Sequence, residues 1–239
     1  MKIGLFVPCY VEQFYPSAAI ATLKLLEKFG VEVEYPMNQT CCGQPMANSG
    51  YECYGKDTAE LFLKNFSEFE YIVSPSGSCV LHVKEHVLKQ DATGSKIFEL
   101  CEFLTDILQV TTIDAHFPFR VGLHESCHGL RGLRLGSASE LAEERYSKPK
   151  FLLSQVKGIN LVPLNRADEC CGFGGTFAVA EEAVSVRMGQ DRIEDHISNG
   201  AEIITATDLS CLMHLEGLLK RQKSPVKIMH IAEILMSEK

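Results

Sequence analysis

The sequence has no tryptophan, no long apolar run and little positive charge. Of its 239 residues, 23 are lysine or arginine and 31 are aspartate or glutamate, which gives a formal net charge of −8. The basic residues form only small clusters, at Lys148–Lys150 and Lys220–Lys223, and this pattern argues against a general nucleic-acid-binding protein. No apolar stretch approaches the ~18 residues that a membrane-spanning helix requires. We therefore expect neither nucleic-acid binding nor membrane insertion.

The amino terminus also lacks the pattern of a signal sequence. Its first residues form a short apolar run that ends at Pro8, with no cationic segment ahead of a long hydrophobic one. Ten cysteines could form disulfides in a secreted protein, but the chain is much longer than disulfide-rich scaffolds, and adjacent cysteine pairs suit metal binding better. We expect a cytoplasmic protein with reduced thiols.

What the sequence does contain is one cysteine pattern, present twice. Each copy has a single cysteine, a Cys-Cys-Gly triplet and a further single cysteine, with gaps of 31 and 36 residues in the first copy and 42 and 39 in the second. The candidate ligands are Cys9, Cys41, Cys42 and Cys79 in the first copy and Cys127, Cys170, Cys171 and Cys211 in the second. Three separate segments must converge in each copy to bring four thiolates together, as a soft-metal or iron–sulfur site requires.

The sequences that flank the cysteines also match. Lys2–Cys9 pairs with Arg120–Cys127, and Lys96–Leu104 pairs with Lys227–Leu235. The similarity therefore extends beyond the last cysteine of each copy, which indicates an internal duplication.

Strands and helices alternate along the sequence, and this order predicts an α/β fold of two tandem, pseudo-symmetric repeats with short, mostly parallel sheets, in residues 1–115 and 116–239. The predicted strands are Ile3–Val7, Val31–Tyr35, Tyr71–Val73, Val121–His124, Leu161–Leu164 and Ile203–Ala206. The predicted helices are Ala18–Phe29, Ser78–Gln90, Ile97–Leu104, Glu140–Val156 and Leu209–Lys220.

Ligands of parallel α/β sheets bind at the carboxyl ends of strands, where helix amino termini point. Four of the cysteines follow predicted strands at such positions: Cys9, Cys79, Cys127 and Cys211. A helix amino terminus also stabilises a thiolate. The positions of the four single cysteines after the strands thus predict that they lie close together at the carboxyl ends of the sheets.

The Cys-Cys-Gly triplets are predicted to lie in loops. Gly43 and Gly172 permit positive φ, so that consecutive cysteine side chains can turn inward on a tight bend. Three glycines in Cys170–Gly175 also allow backbone N–H groups to approach sulfur closely. A nucleotide-phosphate loop is the rival interpretation, but the sequence contains neither G-x-G-x-x-G nor a P-loop G-K-[ST] motif.

Other cysteines and histidines carry weaker signals. We expect Cys53 and Cys101, which lie outside the pattern, to be inert buried side chains. His124 and His128 flank Cys127, and His214 follows Cys211 by one helical turn; each is either an ordinary histidine or one that supports a metal site or carries a proton.

A further pair, His82 and His86, is spaced i, i+4 on the predicted helix after Cys79. This spacing allows a metal pair, but a solvent-facing stripe is the favoured interpretation.

Three segments, Val7–Tyr10, Cys41–Gly50 and Cys170–Gly175, resemble the cysteine-rich, or CCG-domain, family, and the resemblance covers nearly the whole chain. This family includes the B subunit of heterodisulfide reductase and the iron–sulfur subunits of glycolate oxidase and anaerobic glycerol-3-phosphate dehydrogenase. The chain is most similar to stand-alone two-copy members that act in L-lactate oxidation.

One departure from the family pattern concerns its final Cys-x-x-Cys. The first of these two cysteines is replaced by Ser76 in one copy and by Asp208 in the other, so each copy offers four thiolates rather than five. Five cysteines hold an unusual non-cubane cluster in heterodisulfide reductase, whereas four suit a regular [4Fe–4S] cluster or tetrahedral zinc. Ser76 is interpreted as a loop residue or helix cap, and Asp208 as a helix cap in preference to an iron ligand.

The resemblance implies an iron–sulfur electron-transfer subunit of a cytoplasmic L-lactate oxidation complex, which converts lactate to pyruvate for growth on lactate. It implies one or two [4Fe–4S] clusters, with zinc as an alternative in one site, and two partners, a ferredoxin-type iron–sulfur protein and a small third subunit. The chain would then be a non-autonomous subunit of an oxidoreductase. The alternatives are a subunit like heterodisulfide or thiol reductases and a binding module that holds structural zinc.

Overall fold

Two four-stranded sheets, each entirely parallel, form the frame of the protein in the computed structural model, which describes residues 1–88 and 96–238. The first sheet consists of β1 (Lys2–Leu5), β2 (Glu32–Glu34), β3 (Tyr71–Ser74) and β4 (Ile97–Glu99), in the order β2-β1-β3-β4. The second consists of β5 (Arg120–His124), β6 (Asn160–Leu161), β7 (Ile203–Ala206) and β8 (Lys227–His230), in the order β6-β5-β7-β8. The matching orders confirm the predicted α/β class with two repeats.

The helices connect these strands, as parallel pairing requires. In the first repeat they are α1 (Cys9–Phe14), α2 (Pro16–Lys28), α3 (Gln44–Asn48), α4 (Lys56–Phe66), α5 (Gly77–His82) and α6 (Leu100–Glu102). In the second they are α7 (Lys148–Ser154), α8 (Phe177–Ala180), α9 (Glu182–Ser198), α10 (Leu209–Arg221) and α11 (Ile231–Leu235). Across residues 1–88 and 96–238, no helix combines the length and apolar character needed to cross a membrane.

One large apolar core extends through both repeats. It contains the inward faces of the strands, such as Ile3 and Val121, together with Leu25 of α2 and Leu235 of α11, all of them fully or almost fully buried. Helices α2 and α11 pack against each other and so join the repeats. The strands read as apolar runs because both faces of a parallel sheet are covered.

The helix predicted at Glu140–Val156 is wrong over its first half. The chain becomes helical only at Lys148, where the Ser147 hydroxyl accepts a hydrogen bond from the backbone N–H of Lys150 and Pro149 occupies the first turn. Proline is tolerated in a first turn but not in a helix interior. Glu140 instead lies in a turn, paired with Arg131.

The helix predicted at Ile97–Leu104 is also wrong at its start, since Ile97–Glu99 is strand β4. Glu99 ends the strand and caps α6, its carboxyl group accepting from the backbone N–H of Cys101 at 2.7 Å. His230 caps α11 at the matching position of the second repeat. Both residues are fully buried, so each repeat begins its last helix on a buried polar cap.

Two other predicted elements differ in extent. The helix predicted from Ser78 corresponds to α5 followed by a π-helical turn at Val83–Val87, while Gln90 lies outside the described residues. The strand predicted at Leu161–Leu164 overlaps β6 only at Leu161.

Candidate metal centre

A single cavity of about 280 Å³ lies where the carboxyl ends of the two sheets face each other. All eight cysteines of the repeated pattern line it: Cys9, Cys41, Cys42, Cys79, Cys127, Cys170, Cys171 and Cys211. All ten cysteines of the chain are free thiols. The two sets predicted as separate sites therefore share one enclosure between the repeats.

The strand ends position the single cysteines in the same way in both repeats. Cys9 opens α1 shortly after β1, and Cys79 lies in the first turn of α5 after β3. Strands β1 and β3 are paired neighbours, and both thiols line the same cavity. Cys127 and Cys211 follow the neighbouring strands β5 and β7 of the second sheet in the same arrangement.

The Cys-Cys-Gly triplets lie in loops, and their glycines have the predicted positive φ, 92° at Gly43 and 86° at Gly172. Each glycine N–H donates a hydrogen bond at 3.4 Å to the sulfur two residues earlier, on Cys41 or Cys170. Gly172 has no room for a side chain, since a Cβ there would lie 2.7 Å from the carbonyl oxygen of Ser185. The tight bend turns both cysteines of a triplet toward the cavity.

The sulfur atoms within each repeat influence one another strongly. Hydrogen bonds from Cys42 and Cys9 lower the pKa of Cys41 to about 2. In the second repeat, hydrogen bonds from Cys127 and Cys171 lower the pKa of Cys170 to about 2. Neighbouring thiols thus stabilise one thiolate in each set.

Further ionisation is opposed, because the pKa values of Cys9 and Cys127 are raised by hydrogen bonds to their thiolate neighbours and by burial. Four thiolates can coexist in such a site only with a cation among them, since metal binding deprotonates the ligands. The donor set therefore fits a metal ion or an iron–sulfur cluster, which supplies that positive charge.

Aromatic side chains join the repeats at the same cavity. The rings of Tyr10 and Phe173 contact edge to face, with centroids 6.1 Å apart. The hydroxyl of Thr176, just after the glycine-rich loop, donates to the carbonyl oxygen of Asn48 at 3.5 Å. The cavity is therefore closed by residues of both halves.

Asp208 links the two repeats through Ser78 and Ser210, which line the cavity. Its buried carboxylate accepts from the Ser210 hydroxyl at 2.9 Å in its own helix α10. It also accepts from the backbone N–H of Ser78 at 2.8 Å and from the Ser78 hydroxyl at 3.1 Å in α5. The predicted capping of α10 is confirmed, and the same side chain caps the cysteine helix of the other repeat.

Ser76, the counterpart of Asp208, is also buried. Its backbone pairs with that of Asp208 in an isolated antiparallel bridge, and its hydroxyl lies 3.4 Å from that of Ser78. The two positions where the family pattern has cysteine thus face each other across the junction of the repeats.

One histidine after a cysteine is less exposed than predicted. The solvent-facing stripe is wrong for His82, which is 7 % exposed and stacks on the exposed ring of His86 with centroids 4.7 Å apart. Burial lowers the pKa of His82 to about 4. His214 occupies the matching position in α10, with Nε2 3.4 Å from the carbonyl oxygen of Ser185. A Cys-x-x-His spacing in both copies was the sequence signal for this correspondence.

The two cysteines outside the pattern lie away from the cavity lining. Cys101 is fully buried, as predicted, whereas the predicted burial of Cys53 is wrong because it is exposed in the 3-10 turn Glu52–Gly55. His128, another weak candidate, has Nδ1 3.8 Å from the sulfur of Cys127.

His124, which the sequence analysis named only as a weak candidate, lies next to two of the cysteines. One of its ring nitrogens and the sulfurs of Cys171 and Cys211 all lie within 4.8 Å of one another, and all three side chains are buried. Burial, followed by the positive charge of Arg192, lowers the pKa of His124 to about 3. The imidazole is therefore neutral and able to bind a metal through a nitrogen lone pair.

Comparisons with known proteins agree with the duplicated pattern. The CCG cysteine-rich domain family matches residues 3–84 and 121–216. Lactate utilization protein A of Exiguobacterium sp. is 41% identical over 246 residues, covering 98% of this chain and 96% of that protein. Lactate utilization protein A of Geobacillus sp. is 40% identical over 247 residues, covering 99% and 100%.

Among solved structures, the chain is similar to a hypothetical protein from Helicobacter pylori. The TM-score is 0.64 with 15% sequence identity, over 100% of this chain and 49% of that one. The chain thus spans about half the length of that structure, and the likeness concerns the fold alone.

Proposed function

The chain belongs to the cysteine-rich domain (CCG) family, and we propose that it serves lactate utilization as the iron–sulfur electron-transfer subunit of an L-lactate oxidation complex. The lactate role is supported by the full-length relatives named lactate utilization protein A. The electron-transfer role is supported by one observation above others, the convergence of eight cysteines on a single cavity.

In this proposal each repeat, 1–115 or 116–239, holds its own centre through its four cysteines. An iron–sulfur cluster bound there supplies one-electron oxidation and reduction. Conversion of the lactate C–OH group to the pyruvate C=O group releases two electrons and two protons, and two one-electron centres in one subunit match that number. The electrons leave through the partners, a ferredoxin-type iron–sulfur protein and a small third subunit.

The residues of the chain control access to these centres. Cys42 and Cys171 are buried, whereas Cys41 and Cys170 are half-buried at the cavity. The buried thiols exclude water from one side, and the half-buried ones leave an edge that a partner can approach. The N–H groups of Gly43 and Gly172 donate to sulfur and stabilise its negative charge.

We place the complex in the cytoplasm, where free thiols stay reduced. A reductase resembling heterodisulfide reductase is less well supported, because the fifth cysteine of each copy is replaced by Ser76 or Asp208, and the Asp208 carboxylate is fully engaged as a cap.

A binding module with zinc is the second candidate, and it is favoured by one observation. The nitrogen of His124 and the sulfurs of Cys171 and Cys211 lie close enough together to surround a single ion. One repeat could then be structural while the other carries electrons.

The deciding experiment is metal and sulfide analysis of the full chain purified without oxygen, together with absorption and low-temperature EPR spectra. We expect about four irons and four sulfides per occupied repeat and a brown chromophore that responds to dithionite. Lactate oxidation is then measured with the partner subunits added. Zinc without sulfide in both repeats would overturn the electron-transfer proposal and leave the binding module.

A further inference from the structure

The two repeats differ at one position at the carboxyl end of the first strand of each sheet; this residue directly follows β1 in the first repeat and ends β5 in the second. Alignment of Lys2–Cys9 with Arg120–Cys127 places Phe6 opposite His124. Phe6 packs in an aromatic cluster of the first repeat, with its ring centroid 5.2 Å from that of Phe62. His124 occupies the matching position in the second repeat, where it introduces two polar nitrogens into the interior.

Those nitrogens have no hydrogen-bond partner. His124 is 1 % exposed, and within residues 1–88 and 96–238 neither Nδ1 nor Nε2 accepts or donates a hydrogen bond. A buried polar group without a partner is destabilising, because it loses the hydrogen bonds that water would provide. The unpaired nitrogens of His124 therefore indicate that a bound group from outside the chain pairs with one of them.

The surroundings of His124 indicate what that ligand is. A ring nitrogen and the sulfurs of Cys171 and Cys211 lie within 4.8 Å of one another. Donors around one tetrahedral ion with metal–sulfur bonds of about 2.3 Å are about 3.8 Å apart, so small movements would let all three bind the same metal. The described residues of the first repeat contain no equally close group of three donors.

A buried ion pair lies in the interior of the second repeat. Arg192 is fully buried and pairs with Asp195 at 3.0 Å. Its guanidinium also donates to the backbone carbonyl of Arg166. Arg192 makes no hydrogen bond to His124, so neither ring nitrogen is used by this ion pair.

We propose that His124 is a ligand of the metal centre of the second repeat, together with Cys171 and Cys211. The second centre then has a mixed nitrogen and sulfur donor set, whereas the first is bound by thiolates alone. A neutral nitrogen adds no negative charge and, as in Rieske centres, raises the reduction potential. The inference rests on the proposed metal-binding function.

The test is pulsed EPR of the reduced full chain, prepared with either natural or ¹⁵N-labelled histidine. We expect a strongly coupled nitrogen that changes with the label in the wild-type protein. The coupling should vanish in His124→Phe, which copies Phe6 of the first repeat, and should remain in His214→Gln, the matched control. Loss of the coupling should be accompanied by a lower reduction potential of one centre.

If the second repeat holds zinc, the metal gives no EPR signal. X-ray absorption at the zinc edge is then measured in place of EPR. One nitrogen neighbour at about 2.0 Å should be present in the wild-type protein and absent from His124→Phe. A wild-type centre that contains metal but only sulfur neighbours would overturn the role of His124 even if the variant did not fold. Absence of bound metal from anaerobically prepared protein would instead overturn the proposed function itself.

Discussion

The two repeats have the same strand order but different interiors behind their cysteines. In the first repeat, Phe6 packs with Phe62 and Phe66, and the rings of the latter two stack with centroids 4.7 Å apart. In each repeat a glycine of the first strand leaves room for a helix side chain, at Gly4 for Phe66 and at Gly122 for His196.

The second repeat has polar side chains in the corresponding places. His124 takes the place of Phe6, and Arg192 and His196, four residues apart on α9, take the places of Phe62 and Phe66 of α4. All three polar residues are buried. The two repeats thus share their cysteine positions, while the side chains behind the cysteines are apolar in the first repeat and polar in the second.

Serine substitution of one cysteine in each repeat tests whether the two centres are independent. Cys42→Ser should remove the metal of the first repeat and Cys171→Ser that of the second, because a four-donor site loses a ligand in each case. Elemental analysis should give about half of the wild-type metal for each variant. Cys53→Ser, which changes an exposed thiol, is the control and should retain all of it. Complete loss from either single variant would show that the repeats share one centre.

The aromatic cluster of Phe6, Phe62 and Phe66 is expected to stabilise the first repeat more than any other feature that the second repeat lacks. Phe66 is 1 % exposed, and Phe66→Ala should lower the free energy of unfolding by about 3–5 kcal/mol. Urea denaturation measures this change. The exposed Phe14 provides a control, since Phe14→Ala should alter the free energy of unfolding little. A loss below ~1 kcal/mol at Phe66 would contradict the contribution assigned to this cluster.

Asp208 joins the two repeats through hydrogen bonds to α5 and α10. Asp208→Ala should lower the free energy of unfolding by about 2–3 kcal/mol, because hydrogen bonds to α5 and α10 are lost together and buried donors are left unpaired. Ser78→Ala removes only the hydroxyl contact in α5 and should cost about 1 kcal/mol. Equal losses from the two variants in urea denaturation would mean that Asp208 caps one helix only.

The buried caps of the last helices predict opposite pH effects. Burial raises the pKa of Glu99 to about 8 and lowers that of His230 to about 4. Between pH 5 and 7 the unfolded state loses the Glu99 proton while the folded state keeps it, so this group lowers stability as the pH rises. The unfolded state also takes up the His230 proton as the pH falls toward 5, so this group lowers stability in the other direction.

Each effect amounts to about 2 kcal/mol over that interval and the two oppose each other. In urea denaturation at pH 5 and 7, Glu99→Gln should make the protein relatively less stable at pH 5, and His230→Asn relatively less stable at pH 7. Wild-type protein should lie between the two variants. Parallel pH profiles for all three proteins would contradict the protonation states assigned to these caps.

Much of the fold could be predicted from local patterns. Short apolar runs located β1, β3, β5 and β7, and positive φ at the triplet glycines followed from the turn that paired cysteines require. The start of α7 was also encoded locally, in Ser147 and Pro149, but was overlooked. The repeat limits 1–115 and 116–239 remain a prediction.

The sequence could not indicate contacts that depend on how the halves meet. The bond from Asp208 to Ser78 spans 130 residues, and no local pattern specifies it. His124 aligns with a phenylalanine and belongs to no spaced motif, so its approach to Cys171 and Cys211 required the assembled sheet. The metal role of the eight cysteines likewise remains a prediction, although the fold brings all of them to one cavity.

The bridge between Ser76 and Asp208 bears on the history of the chain. A single ancestral repeat that dimerised about this junction would have placed the same residue on both sides. Two buried aspartates would repel each other, and two serines would provide no carboxylate to cap both helices. The present pair of one serine and one aspartate therefore requires two copies that vary independently, which a symmetric dimer of one repeat cannot have.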